Sequence, residues 1–207
     1  MYTILVVDDS PFIVDIFVTI LEQGGYCTVA AHSGEECLEI IKTLTPDLIL
    51  LDIMMEPIDG WMTLEKIKKE SSTKEIPILM LTAKPLMPYE AEKYNIYIED
   101  YVLKPVTNYE LYAAIENVLG RRKIIQNDMD IARQSGVEPD TINEYALLST
   151  SINVNKRLVK LLETTYNLND SKVDLTTNFS KVIKNMKATI KYQEDRLQQI
   201  KEKINKT

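Results

Sequence analysis

Five short apolar runs, rich in branched and bulky side chains, constrain this chain more than any other feature. They cover 3–8, 26–31, 47–52, 76–82 and 98–103, and helical patterns separate them near 11–23, 34–44, 60–70, 86–94 and 107–120. Runs that are apolar at successive positions, not only at alternate ones, suit strands buried on both faces, which is the condition inside a parallel sheet. The strict strand–helix alternation therefore predicts a doubly wound five-stranded α/β domain. In that architecture a ligand crevice lies beyond the carboxyl ends of the strands, where the strand order reverses. Gly24-Gly25 is expected to close the first helix.

The residues at those strand ends carry the chemistry. Asp8 and Asp9 follow the first run, Asp52 ends the third, Thr82 ends the fourth, and Lys104 follows the fifth. Asp59, Gly60, Tyr101 and Pro105 stand beside them. Each alone reads as a solvated turn or a helix cap. Three carboxylates, a hydroxyl and an ammonium on one sheet edge instead make a site for one divalent cation and one phosphoryl group. Mg²⁺ takes oxygen ligands and keeps several waters, so a few carboxylates suffice. A cation and a lysine together would neutralise a transferring phosphoryl group, for which positioning and electrostatics supply most of the catalysis. The Lys104–Pro105 bond is a candidate cis peptide, because proline alone makes that geometry inexpensive.

Over residues 1–120 the sequence resembles the receiver domain of two-component response regulators, a flavodoxin-like fold. The resemblance runs through ILVVDDS (4–10), AHSGEECL (31–38), DLILLDIMMEPIDGW (47–61), LTAK (81–84) and DYVLKP (100–105). It implies that Asp52 accepts a phosphoryl group from a phosphohistidine on a sensor histidine kinase. Asp8, Asp9, Asp52 and the backbone carbonyl of Met54 would hold Mg²⁺. Lys104 and Thr82 would contact the phosphoryl oxygens, and Tyr101 would turn inward as the site switches. The chain departs from the family pattern at Glu56, where proline is usual, and at Tyr97 and Ile98, where Gly-Ala is common. Met54 and Lys84 occupy positions that flank the acceptor. Their bulk would shield an acylphosphate from water and lengthen the life of the phosphorylated form.

At 45% apolar content the chain can bury a substantial core, and one or two domains are expected. It has no apolar run long enough to span a membrane, and ILVV reads as a strand rather than a signal sequence. These features predict a cytoplasmic protein without a membrane partner. Cys27 and Cys37 lack CxxC spacing and are expected to be reduced and buried. His32 is the only histidine; it is expected in a turn, and a zinc site is not.

Charge divides the chain. Residues 1–120 carry 8 Lys+Arg against 20 Asp+Glu, whereas residues 121–207 carry 16 against 11. A basic segment after an acidic domain could meet nucleic acid, an acidic partner or the acidic domain itself. Arg121-Arg122-Lys123 could end the last helix of the first domain, or that helix could continue to about Ser135. We read 121–140 as a helical extension or linker, with a break at Gly136 and Pro139. Apolar spacing then runs 3, 4, 3, 4 through Tyr145, Leu148, Ile152, Asn155, Val159, Leu162 and Tyr166. After a polar turn at Asn167–Lys172 it resumes through Leu175, Phe179, Val182, Met186, Ile190, Gln193, Leu197, Ile200 and Ile204.

Residues 141–207 therefore read as an α-helical, coiled-coil-like hairpin. So thin a module exposes its apolar stripe, which predicts a homodimer or docking onto a downstream protein. Asn155 in the seam would set register. A weaker helix-turn-helix pattern at 128–147 offers DNA binding as the alternative output. Against it, the second helix would open with Glu138, Asp140 and Glu144, acidic where phosphates need cations. No enzymatic signature appears after residue 120, so the only catalysis expected is phosphotransfer and slow hydrolysis at Asp52.

Overall fold

A computed structural model describes residues 1–166 and 176–204. The polar turn expected at Asn167–Lys172 and the seam residue Leu175 lie outside the described residues. Twelve elements follow in order among them: β1 Thr3–Val7, α1 Pro11–Gln23, β2 Cys27–Ala31, α2 Gly34–Ile40, β3 Leu48–Leu51, α3 Gly60–Lys69, β4 Ile78–Thr82, α4 Pro88–Tyr94, β5 Asp100–Leu103, α5 Asn108–Gln134, α6 Pro139–Thr165 and α7 Thr176–Ile204.

The strands pair in parallel in the order β2-β1-β3-β4-β5. Order reverses at β1, so the crevice falls between the carboxyl ends of β1 and β3. All four residues of β3 and all five of β4 are buried, which is why neither run alternates with polar residues. On one side Ile4, Val6, Leu48, Leu50, Leu79 and Leu81 pack with Val14, Leu21, Leu111, Ile115 and Val118 from the helices. Each such side chain contributes roughly 1.5–3 kcal/mol when fully buried. β2 is an edge strand, and Cys27 at its start is exposed whereas Cys37 is buried. The expectation that both cysteines are buried thus fails for Cys27, because an edge strand has neighbours on one side only.

Two turns explain where helices stop. At the end of α1, Gly25 adopts φ +82°, its N–H reaches the Glu22 carbonyl, and the Tyr26 N–H reaches that of Leu21. At the end of α5 the same pair of bonds recurs around Gly136, φ +78°, from Gly136 to Arg133 and from Val137 to Ala132. Both are Schellman closures, which need a left-handed residue that only glycine supplies without strain. Gly120 does not stop α5, since one exposed glycine costs a helix only about 1 kcal/mol. Residues 121–134 are the second half of α5, so the last helix of the α/β pattern does continue to about Ser135, and the break falls at Gly136.

The chain resolves into two compact units. The first is Met1–Pro85 with Tyr97–Leu119, and the second is Leu86–Ile96 with the residues from Gly120 onward. The fourth helix of the α/β pattern therefore belongs with the C-terminal helices, where it packs on α7. Within the second unit α6 and α7 pack together, and of the expected seam Tyr145, Ile152, Asn155, Val159, Leu162, Phe179, Met186, Ile190 and Ile200 are buried, whereas Val182 is half-buried and its neighbour Ile183 is buried. Arg196 clamps Glu144 with two hydrogen bonds of 2.6 and 2.8 Å, and that pairing holds the Glu144 carboxyl below the usual carboxylate range.

Candidate functional site

Parallel register brings the carboxyl ends of β1, β3, β4 and β5 to one edge, and with them Asp8, Asp52, Thr82 and Lys104. Asp8 and Asp52 are buried. The Lys104 ammonium lies between them, 2.5 Å from Asp8 Oδ2 and 3.3 Å from Asp52 Oδ1. The remaining carboxylate oxygens accept backbone N–H groups, Asp8 Oδ1 from Ser10 at 3.0 Å and Asp52 Oδ2 from Met54 at 2.9 Å. Lys104 is placed by its own backbone, whose N–H donates to the Thr82 carbonyl at 2.8 Å, and the Lys104–Pro105 peptide is cis. Glu56–Pro57, where the acceptor loop departs from the family pattern, is cis as well.

The supporting residues act on backbone. Asp59 caps α3 by accepting the Met62 N–H at 2.8 Å. Gly60 is buried, and a Cβ there would collide with the carbonyl oxygen of Asp52 and with Ile53; only glycine lets α3 begin this close to the acceptor strand. Thr82 is wholly buried and its hydroxyl oxygen accepts the Lys84 N–H at 3.2 Å. Tyr101 already points inward: it is 5% exposed, its hydroxyl donates to the Lys84 carbonyl at 2.6 Å, and its ring lies 6.4 Å from that of Trp61. Trp61 and the Lys84 carbonyl are partners that sequence reasoning did not single out. The DGW and LTAK blocks held the signal, but nothing in one sequence said which atoms would meet.

Asp9 is exposed, and the Met54 side chain is 59% exposed. Among the described residues no three His, Cys, Asp or Glu side chains form a ready-made cage for a metal ion. The donor chemistry nonetheless fits Mg²⁺. Two buried carboxylates share a single ammonium, with a third carboxylate next in sequence, and this hard-oxygen set is the kind that Mg²⁺ accepts with waters completing its shell. His32 lies in the turn after β2, exposed, as expected.

With this fold and edge, and with residues 4–116 matching the response regulator receiver domain model, the chain belongs to the response regulator receiver family and is a two-component response regulator. Residues 121–207 match a second model, described as Metanogen output domain 2. Among solved structures, the N-terminal domain of a response regulator receiver protein from Methanoculleus marisnigri is 66% identical, with a TM-score of 0.50, over 57% of this chain and 97% of that one. Chemotaxis protein CheY4 of Vibrio cholerae is 27% identical, with a TM-score of 0.54, over 57% and 98%. Among curated relatives, the probable transcriptional regulator ycf27 of Cyanidium caldarium is 36% identical over 80% of this chain. The DNA-binding dual master transcriptional regulator RpaA of Synechocystis is 33% identical over 58%. The chain spans 65% of the former relative's length and 50% of the latter's.

Proposed function

We propose that Asp52 is the phosphoacceptor and that its phosphorylation by a sensor histidine kinase switches the helical module formed from 121–207. The observation that carries this reading is the pair of buried carboxylates, Asp8 and Asp52, bridged by Lys104 at the sheet edge. The Asp52 carboxylate attacks phosphorus, the P–N bond of the phosphohistidine breaks, and its electron pair returns to the imidazole. Lys104 stands where the new phosphoryl oxygens would emerge, and Thr82 ends the neighbouring strand with a hydroxyl that can donate to them. Asp8, Asp9, Asp52 and the Met54 backbone carbonyl would hold Mg²⁺, which when bound supplies positive charge for the phosphoryl oxygens. Met54 and Lys84 flank the acceptor and slow hydrolysis of the phosphorylated form. The chain has no catalytic role beyond this transfer and hydrolysis.

The output of the module is homodimerisation or capture of a downstream protein. Ile124 and Ile131, seven residues apart on α5, are 63% and 53% exposed, a spacing that suits the seam of a paired helix. A second reading, DNA binding, is favoured by the four-residue turn at 135–138 between α5 and α6 and by the regulator names of the relatives. No helix among the described residues is long and apolar enough to cross a membrane, and the free cysteines suit a cytoplasmic setting.

The test of the site is labelling with a small-molecule phosphodonor. Wild-type protein should form an acid-stable, alkali-labile acylphosphate, and Asp52→Asn should form none while keeping its circular dichroism. Persistent labelling of the variant would move the acceptor elsewhere. Titration of the beryllofluoride-treated chain with mixed-sequence duplex DNA at two salt concentrations separates the outputs: strongly salt-dependent affinity favours DNA, and a salt-indifferent dimer that ignores DNA favours protein interaction.

A further inference from the structure

Two ion pairs fix which residues of α6 and α7 stand opposite each other. Lys156 meets Glu194 at 2.6 Å and Lys187 meets Glu163 at 2.6 Å, so residue numbers fall along one helix as they rise along the other. Residues three and four apart are neighbours on a helix face. Lys160 therefore stands between Lys156 and Glu163 on α6, and Lys191 between Lys187 and Glu194 on α7; both are exposed. Lys184 and Lys181 continue the row toward the start of α7 and are exposed as well. These six lysines share the outer surface of the helix pair with two glutamates, and no acidic residue occurs from Thr176 to Gln193. Glu194 and Asp195 close the row.

The large apolar side chains of α7 lie on its other side, where Phe179, Ile183, Met186 and Ile190 are buried. The lysine surface thus carries charge without an apolar centre. Protein–protein interfaces are depleted of lysine and bury an apolar core, whereas protein–DNA interfaces are strongly positive and wet. Single strands are held on several stacked aromatics, and Tyr192 is the one exposed aromatic of α7. A duplex asks less: from Lys181 to Lys191 the helix rises about 15 Å, over which duplex DNA displays about nine phosphates. The chain as a whole has a net charge of −7, but salt confines interactions between exposed charges to roughly 10 Å at 0.1 M, so the local surplus of lysine decides.

We propose that the outer face of α7, extended by Lys160 of α6, binds the phosphate backbone of duplex DNA without reading its sequence. Lys160, Lys181, Lys184 and Lys191 supply the contacts, while Lys156 and Lys187 are already engaged by glutamates. This surface is distinct from the α5–α6 turn, and its chemistry does not depend on the phosphoacceptor reading of Asp52. Three or four phosphates neutralised in this way give a slope of about −3 for log affinity against log salt.

The test uses the full chain without beryllofluoride and the fluorescence anisotropy of two end-labelled DNA duplexes of unrelated sequence, titrated from about 50 to 200 mM salt. Both duplexes should bind alike, with the slope of about −3. Lys184→Gln with Lys191→Gln should weaken binding about 10-fold or more and make the slope shallower by about 2. Both side chains are exposed, so circular dichroism should be unchanged. Lys201→Gln, an exposed lysine of the same helix beyond Asp195, should leave affinity within about twofold, since it makes none of these contacts. Wild-type affinity in the double variant would overturn the proposal and send the duplex to another surface. Competition by poly-glutamate as effective, charge for charge, as by unlabelled duplex would overturn it in favour of an acidic protein. Light scattering on the same samples keeps the outcomes apart: a dimer that ignores DNA at the lowest salt refutes this site and leaves the homodimer reading standing.

Discussion

Replacing Lys104 by methionine removes the one ammonium between two buried carboxylates and keeps most of the side-chain volume. The carboxylate side chains are 6% and 7% exposed and the lysine 17%, so solvent screens the trio little. At an effective dielectric of ~20, a charge pair at the 3.3 Å of Lys104 and Asp52 attracts by about 5 kcal/mol. Much of this offsets the cost of drying three charges. The net effect of leaving both carboxylates without their cation is a loss of about 3–5 kcal/mol. Urea unfolding in EDTA, followed by Trp61 fluorescence and circular dichroism, measures it. Lys104→Met should lose that much, Asp8→Asn far less, and the double variant less than Lys104→Met alone, because a single carboxylate then remains. Mg²⁺ should narrow the deficit, since a ligand that binds only the folded state stabilises it by mass action. A loss below about 1 kcal/mol in EDTA, or no relief from Asp8→Asn, would refute the view that Lys104 holds this pair.

Three further outcomes follow from other parts of the molecule. Burial pushes the Cys37 thiol up to about 12 and Cys27 is exposed, so Ellman's reagent at pH 8 should titrate one thiol in native protein and the second only on unfolding. Gly120→Ala should stabilise the chain by about 0.5–1 kcal/mol, because a Cβ there enters open space on an exposed helix face; a loss in thermal denaturation would show that face to be occupied. Burial and the hydrogen bond to Asp128 push the Tyr145 phenol up to about 12. Its folded pKa exceeds its unfolded one, so its contribution is complete below about pH 10 and fades as pH rises toward 12. Wild type should therefore lose stability relative to Tyr145→Phe across that interval, and a constant difference would count against the burial of the phenol.

The sheet and its edge were legible because they rest on short-range signals. Runs such as LILL over 48–51 permit little but a doubly covered strand, and a reactive residue at the end of each such run has one place to go. The seam of α6 and α7 was legible for the same reason, through a spacing repeated often enough to outvote its exceptions. The allegiance of α4 was not. It spans seven residues, too few for periodicity to name a partner, and its tethers join residues 60 and 80 positions apart. The one hint was Asn155, a polar residue in an apolar seam, read as a register device: its amide does reach Gln193 across that seam, but its carbonyl oxygen also accepts from Asn95. The acceptor of the inward Tyr101 was also hidden, because it is a backbone carbonyl that any residue at position 84 would provide.

Electrostatics within the helical unit bears on which output the chain can support. The first turns of α6, where a helix-turn-helix protein would present its reading residues, offer Asp140 and Glu144, and Glu144 is already engaged by Arg196 at 2.6 Å. Neutralising those carboxylates would remove repulsion but would supply no donor to a phosphate. Positive charge is densest on α7 instead. Lys181, Lys184 and Lys191 are exposed along it, Lys187 is paired with Glu163 at 2.6 Å, and no acidic residue occurs between Thr176 and Gln193. A polyanion attracted to this unit would thus be drawn to the outer face of α7, as a long-range field effect that carries no base recognition. Sequence-specific reading from the α5–α6 turn would require other contacts to overcome the acidic start of α6, whereas the exposed isoleucines of α5 need only a second helix.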